Sequence, residues 1–168
     1  DNALPDFIDT VVHPMATPRS NGTRFGQYLL EFGTGGRSRT DVGRGFESFL
    51  YQMAGEVVVH LAGEAHQLNA QSFCYLPDDL DFAIESVGSA SATFWTKRRY
   101  EEVSGVPRPE PVFGSVPELA AVPDDVPGVS YKELLPADDC AFDMAMNVLI
   151  FEPGSSIGQV EMHHQEHG

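Results

Sequence analysis

The sequence predicts an all-β protein, a sandwich- or barrel-like unit followed by the opening of a second copy of itself. Three observations predict it. Short apolar runs alternate with turn residues from Phe25 onwards. No stretch there carries a sustained 3.6-residue apolar stripe with helix caps. A block near residue 30 recurs near residue 150.

Taken in order, residues 1–24 hold Pro5, Pro14, Pro18 and Gly22 with little periodicity, and read as an irregular arm with room for one short strand. Strands are expected over residues 26–32, 47–52, 56–61, 65–68, 72–75, 82–85 and 92–97. Turn chemistry separates them at Gly33-Thr-Gly-Gly36, Met53-Ala-Gly55, Ala62-Gly-Glu64, Pro77-Asp-Asp79 and Val87-Gly-Ser89. Residues 101–128 contain Pro107, Pro109, Pro111, Pro117, Pro123 and Pro127. Proline fixes φ and donates no ladder bond, so this stretch reads as a linker with one helical turn near residues 116–121. A second β series is expected over 129–135, 142–151 and 158–164.

The two series repeat each other. Leu29-Leu-Glu-Phe32-Gly-Thr-Gly35-Gly matches Val148-Leu-Ile-Phe151-Glu-Pro-Gly154-Ser at an offset of 119 residues (Phe32 onto Phe151). A one-residue gap then carries Asp41, Gly43 and Glu47 onto Glu161, His163 and His167. The first copy has no imidazole at these positions and is expected to be the weaker metal site or none. By the same analogy roughly 50 residues of the second copy are missing after Gly168, so a truncated second unit is expected.

The composition is globular, 42% hydrophobic, with no run long enough to span a bilayer. Ten basic against 25 acidic residues give a formal net charge of −15. That sets aside nucleic acid and anionic membrane surfaces as partners. Cys74 and Cys140 form no framework spacing; Cys74 sits in an apolar run and reads as a buried free thiol. No export signal is legible at Asp1-Asn-Ala-Leu-Pro5, and a reducing cytoplasm fits.

The chemistry concentrates at Val160-Glu-Met-His-His-Gln-Glu-His-Gly168, an E-x-H-x3-H pattern behind an apolar strand and the turn Pro153-Gly-Ser-Ser156. In an extended chain Glu161 and His163 share a face, and a short bend returns His167 to the same ion. Two imidazoles and one carboxylate suit Mn, Fe, Co, Ni or Zn better than Ca or Mg. Three protein ligands with open positions mark a catalytic rather than a structural site. The competing reading is a solvated His-rich tail or a purification remnant. A tag would be a plain His run, whereas Glu, Met and Gln interleave here. His164 alternates with His163 and should face away; Glu166 reads as solvated or as support for the ligands.

The pattern resembles the cupin superfamily, whose small antiparallel barrels carry G-x5-H-x-H-x3/4-E-x6-G and then G-x5-P-x-G-x2-H-x3-N. In the first copy the second motif survives as Gln71-x5-Pro77-x-Asp79-x2-Phe82, with Phe82 where the ligand His would stand. More closely, the chain resembles the bicupin (S)-ureidoglycine aminohydrolases of purine (allantoin) degradation. The matching blocks are Gly45-Phe-Glu-Ser-Phe-Leu-Tyr51, Lys97-Arg-Arg-Tyr100, Ala141-Phe-Asp-Met-Ala-Met146, Phe151-Glu-Pro-Gly-Ser155 and Glu161-Met-His-His-Gln-Glu-His-Gly168. The resemblance implies two tandem cupin barrels: an arm (1–24), a metal-free first barrel (25–100), a linker (101–128) and the start of a metal-binding second barrel (129–168). It implies Mn²⁺ on Glu161, His163 and His167, with a further Gln ligand beyond Gly168. It also implies hydrolytic deamination of (S)-ureidoglycine to (S)-ureidoglycolate and ammonia.

Glu161 is the carboxylate best placed to add proton transfer to ligation. Alternatives are another metal cupin reaction on a small acid, dioxygenation or isomerisation, or a non-catalytic binding module. A homo-oligomer is expected, because exposed edge strands are usually covered. Asp41 and Glu47 read as turn or rim residues. Lys97, Arg98 and Arg99 alternate across a strand end and are read as structural pairing or a dimer edge ahead of substrate binding. Phe142 and Met144 read as core, with Asp143 free to serve the site; Phe94 and Trp95 are core candidates.

Overall fold

In a computed structural model of the chain, which describes residues 6–158, ten strands form two antiparallel sheets. In chain order they are β1 (Phe7–Ala16), β2 (Phe25–Ser38), β3 (Glu47–Leu61), β4 (Glu64–Asn69), β5 (Ser72–Leu76), β6 (Phe82–Arg98), β7 (Val112–Ser115), β8 (Val122–Pro123), β9 (Val129–Leu135) and β10 (Met146–Phe151). The larger sheet runs β1-β2-β6-β3-β5-β7, with β4 hairpinned onto β3; the smaller runs β10-β9-β8. The all-β expectation holds. Among the described residues both sheets are open rather than closed barrels.

The expected irregular arm gives way to a strand over Phe7–Ala16. It pairs along β2 from Phe7↔Ser38 to Ala16↔Gln27. Pro14 hid it from periodicity, yet a proline is tolerated on an edge strand, and β1 is the edge of its sheet. A bulge between Ile8 and Thr10, where Asp9 takes a φ of 46°, breaks the alternation further.

β1 also extends the internal repeat. Thr10↔Phe32, Val11↔Glu31, Val12↔Leu30 and His13↔Leu29 in the larger sheet reappear in the smaller as Val129↔Phe151, Ser130↔Ile150, Tyr131↔Leu149 and Lys132↔Val148. Every residue is displaced by the same 119 positions, with no change of register. The turn that follows recurs too, with Gly35 and Gly154 at φ of 75° and 88°.

Two expected turns are absent. Residues 53–55 and 87–89 lie inside the continuous strands β3 and β6, where the pairing shifts at Gln52/Ala54 and Ala54/Glu56. Gly55 and Gly88 absorb these irregularities at φ of 71° and 91°. The sequence signal for a turn and for a bulge is the same glycine, and only cross-strand pairing separates them. A Cβ at Gly55 would stand 2.4 Å from the Ala90 carbonyl oxygen, on top of the unfavourable φ. Gly55→Ala is therefore expected to cost about 1–3 kcal/mol. A lowered urea midpoint with an unchanged m-value checks it.

The proline-rich stretch is partly structured. β7 adds to β5 from Ser72↔Ser115 to Tyr75↔Val112, and a 3-10 turn follows at Val116–Glu118. β8 pairs with β9. Both β7 and β8 lie at sheet edges, where missing N–H groups cost least. In the second series the expected 129–135 strand is β9; the later one begins at Met146 rather than 142, and 158–164 falls mostly outside the described residues.

Side-chain alternation divides the core in two. On one face of the larger sheet Leu50, Cys74, Leu76, Phe82, Ile84 and Trp95 pack with Leu30 and Phe7. On the other, Phe49, Phe73 and Tyr75 pack against Val116, Leu134 and Leu135, with Phe142, Met144, Met146 and Val148 around them. The second cluster glues the smaller sheet to the larger. Trp95 is buried as expected, whereas Phe94 is only half-buried and belongs to neither cluster. Cys74 is fully buried, and burial pushes its thiol pKa up.

Candidate functional site

Glu161, His163 and His167, together with His164 and Glu166, lie outside the described residues. Among the described residues no three His, Cys, Asp or Glu side chains cluster in a way that could hold a metal. What the structure does place is the approach to the motif. β10 carries the chain to the turn at Pro153 and Gly154, where the Ser155 amide donates to the Glu152 carbonyl at 2.9 Å. The Glu152 amide in turn donates to the Gly128 carbonyl at 2.8 Å, fixing the turn to the start of β9.

In the first copy the candidate positions are occupied otherwise. Phe82 is 1% exposed within the apolar core. A Cβ at Gly43 would stand 2.1 Å from its ring, so the glycine is there to admit the aromatic side chain. Asp41 pairs with Arg39 at 3.4 Å and, at 4.0 Å, with Arg44. Glu47 is neither a turn nor a rim residue: it opens β3 with its side chain fully buried. The reason is alternation. Glu47, Phe49 and Tyr51 share the face that the smaller sheet covers, which turn signals at Gly43 and Gly45 could not disclose.

Around Glu47 a polar cluster sits in the apolar junction. The Tyr75 hydroxyl donates to Glu47 Oε2 at 2.9 Å, and Arg98 Nε lies 3.6 Å from Oε1. Arg98 Nη2 reaches Asp143 Oδ2 at 2.9 Å, and that oxygen also accepts from the Glu101 amide at 3.0 Å. The Tyr100 hydroxyl donates to the Ala141 carbonyl at 3.0 Å, and Phe142 packs edge-on to Tyr75 at 5.1 Å. Burial raises the Glu47 pKa to about 7, with Asp143 and Asp78 adding to the rise and Tyr75 and Arg98 opposing it. Burial likewise raises Asp143, against its amide donor and Arg98. Burial and the neighbouring carboxylate raise the Tyr75 phenol.

The basic triplet divides by strand phase. Arg98 faces this junction and forms its ion pairs, as structural pairing requires. Lys97 points to the other face, its ammonium 4.4 Å from the Trp95 ring centroid and 5.0 Å from that of Phe46. Burial among the rings lowers the Lys97 pKa, with Asp6 opposing. Arg99 lies over Phe46 at 5.6 Å. Among the described residues Asp143 belongs to the junction.

Comparison with known proteins agrees with this architecture. No family model matches the chain. Among solved structures, protein Ylba from E. coli superposes with a TM-score of 0.84 at 29% identity, covering 96% of this chain and 64% of that one. A Pseudomonas aeruginosa protein described as glyoxylate-induced superposes with a TM-score of 0.83 at 26% identity, over 96% and 62%. The described residues thus make an all-β protein of the same fold as these two solved structures. In sequence it is similar over almost its whole length to the (S)-ureidoglycine aminohydrolases. It is 32% identical to that of Escherichia coli, over 99% of this chain and 64% of the relative. It is 28% identical to that of Arabidopsis thaliana, over 98% and 54%. The chain spans less than two thirds of the length of the curated relatives it matches.

Proposed function

We propose that this chain serves Mn²⁺-dependent hydrolysis of (S)-ureidoglycine, releasing ammonia and forming (S)-ureidoglycolate. The observation that carries the reading is the 32% identity over 99% of the chain to a relative named for that reaction. The E-x-H-x3-H motif stands at the end of the matched region. Two cupin units, the first without a metal and the second holding one, are the domain organisation that goes with it. The repeated strand pair supports two units, and the apolar surroundings of Phe82 suit a unit without ligands.

The donor set fits the ion. Neutral imidazoles from His163 and His167 and the Glu161 carboxylate make a mixed nitrogen–oxygen site for a borderline divalent metal. When bound, such an ion supplies Lewis acidity for a small anionic amino acid and lowers the pKa of a water molecule. The chain's own task is to bring these three side chains to one ion. Glu161, the motif's carboxylate, also takes a proton in the exchange of amine for water.

No described helix is long and apolar enough to cross a membrane. A cytoplasmic, homo-oligomeric protein acting on a small metabolite is the setting that suits the reaction. The test is ammonia release from freshly generated (S)-ureidoglycine with and without added Mn²⁺, for the parent and for Glu161→Gln. Enantioselective, Mn²⁺-dependent release above the spontaneous rate is expected, with Glu161→Gln at least tenfold slower. Full turnover by Glu161→Gln with metal bound would refute the proton-transfer role. No release from metal-loaded parent protein would refute the substrate.

A further inference from the structure

We propose that Glu47, Arg98 and Asp143 form a proton-operated latch that fastens the segment leading into β10 to the larger sheet and loosens as pH rises through neutrality. One guanidinium lies between two carboxylates across the junction. Its short contact, 2.9 Å, is to Asp143 from the β10 side; its long one, 3.6 Å, is to Glu47 on β3. Glu47 Oε1 and Arg98 Nε are both buried and without a hydrogen bond. Glu47 is fully buried, whereas Arg98 and Asp143 keep 16% and 21% exposure, and one guanidinium there balances one carboxylate, so this geometry is that of a protonated Glu47 and an ionised Asp143.

The other charged and titratable groups facing Glu47 are few. Tyr75 on β5 donates to it, and Asp78, after β5, repels its charge from a pair with Arg108. Tyr100 lies beyond β6. Glu101 and Arg24 pair with each other at the outer edge of Asp143. None supplies a second cation to Glu47. Ionising it draws Arg98, whose unbonded Nε is 3.6 Å away, toward Glu47, and the one positive charge is then divided between two carboxylates, which weakens the contact to Asp143. Asp143 sits between Phe142 and Met144, which pack on the second core cluster, so losing that contact loosens the packing of the smaller sheet.

The sign follows from linkage. Glu47 is held above its unfolded value, at about 7, so the folded protein binds a proton that the unfolded chain has released between roughly pH 4.5 and 7. The latched state is favoured at the low end of that window and is lost as pH rises through the folded value.

Amide hydrogen exchange on the full chain tests this. The protection of β9 and β10, corrected for intrinsic rates and divided by that of β3 and β6, is measured at about pH 6 and about pH 8. A roughly tenfold fall is expected in the parent. Glu47→Gln should stay protected at both values, and Asp143→Asn should be poorly protected at both. Tyr75→Phe removes the hydroxyl that favours the ionised carboxylate and should move the transition to higher pH. A flat ratio in the parent, or an undiminished fall in Glu47→Gln, overturns the latch. Should Glu47→Gln not fold, an unmoved transition in Tyr75→Phe does the same.

Discussion

Trp95→Ala is expected to destabilise the protein by about 3–5 kcal/mol, the range for truncating a fully buried aromatic side chain. Trp95 is 1% exposed, at the centre of the face that Leu50, Cys74 and Leu76 line. Its ring meets Phe7 edge-on at 6.0 Å and Tyr28 at 5.5 Å, and supports the Lys97 ammonium at 4.4 Å. Truncation thus opens a cavity reached by β1, β2 and β6 together and takes away the strongest aromatic partner of a half-buried cation. In a chain of this size the loss corresponds to a fall of roughly 6–20 °C in melting temperature. Circular dichroism is the probe, since Trp95 is the one tryptophan of the sequence. A fall of under about 2 °C would mean that the site collapses without strain or that the residue is not packed as described.

His163→Ala carries the largest expected effect on activity under the proposed function. Removing a residue that merely orients a ligand typically costs 10–100-fold in metal affinity or rate, and loss of a ligand should cost at least the upper end of that range. Ammonia release is expected to fall by ~100-fold or more, with Mn²⁺ content per chain falling in parallel by metal analysis. His164→Ala, one position along, should leave both within about twofold, because adjacent residues of an extended strand face opposite ways. Equal losses in the two variants would show that the motif is not extended. Metal retained at full stoichiometry in His163→Ala would remove His163 from the ligand set.

The two faces of the larger sheet have separate readouts. Trp95 lies on the face of the larger sheet away from the smaller one, so its truncation reports on one core and should leave the pairing of β9 with β10 in place. The Glu47 cluster lies on the covered face and answers to pH.

Much of the fold was open to reading from the sequence. Short apolar runs bounded by glycine and proline placed most strands, and the Leu29–Phe32 and Val148–Phe151 match disclosed the repeat, because strand periodicity and turn chemistry are local properties. The E-x-H-x3-H motif, on which the proposed metal site rests, is local as well, and the family resemblance rested on such blocks. Tertiary structure decided the rest. It turned Phe7–Ala16 from an arm into an edge strand, since pairing with β2 outweighs the poor periodicity around Pro14. It made Gly55 and Gly88 bulges rather than turns, since only a partner strand determines whether the chain reverses at a glycine. It buried Glu47, a residue that composition places on the surface, because the face it points to is covered by a sheet that begins only at Val122, far along the chain. No window of sequence contains that contact, and the energetics of a buried charge depend on it.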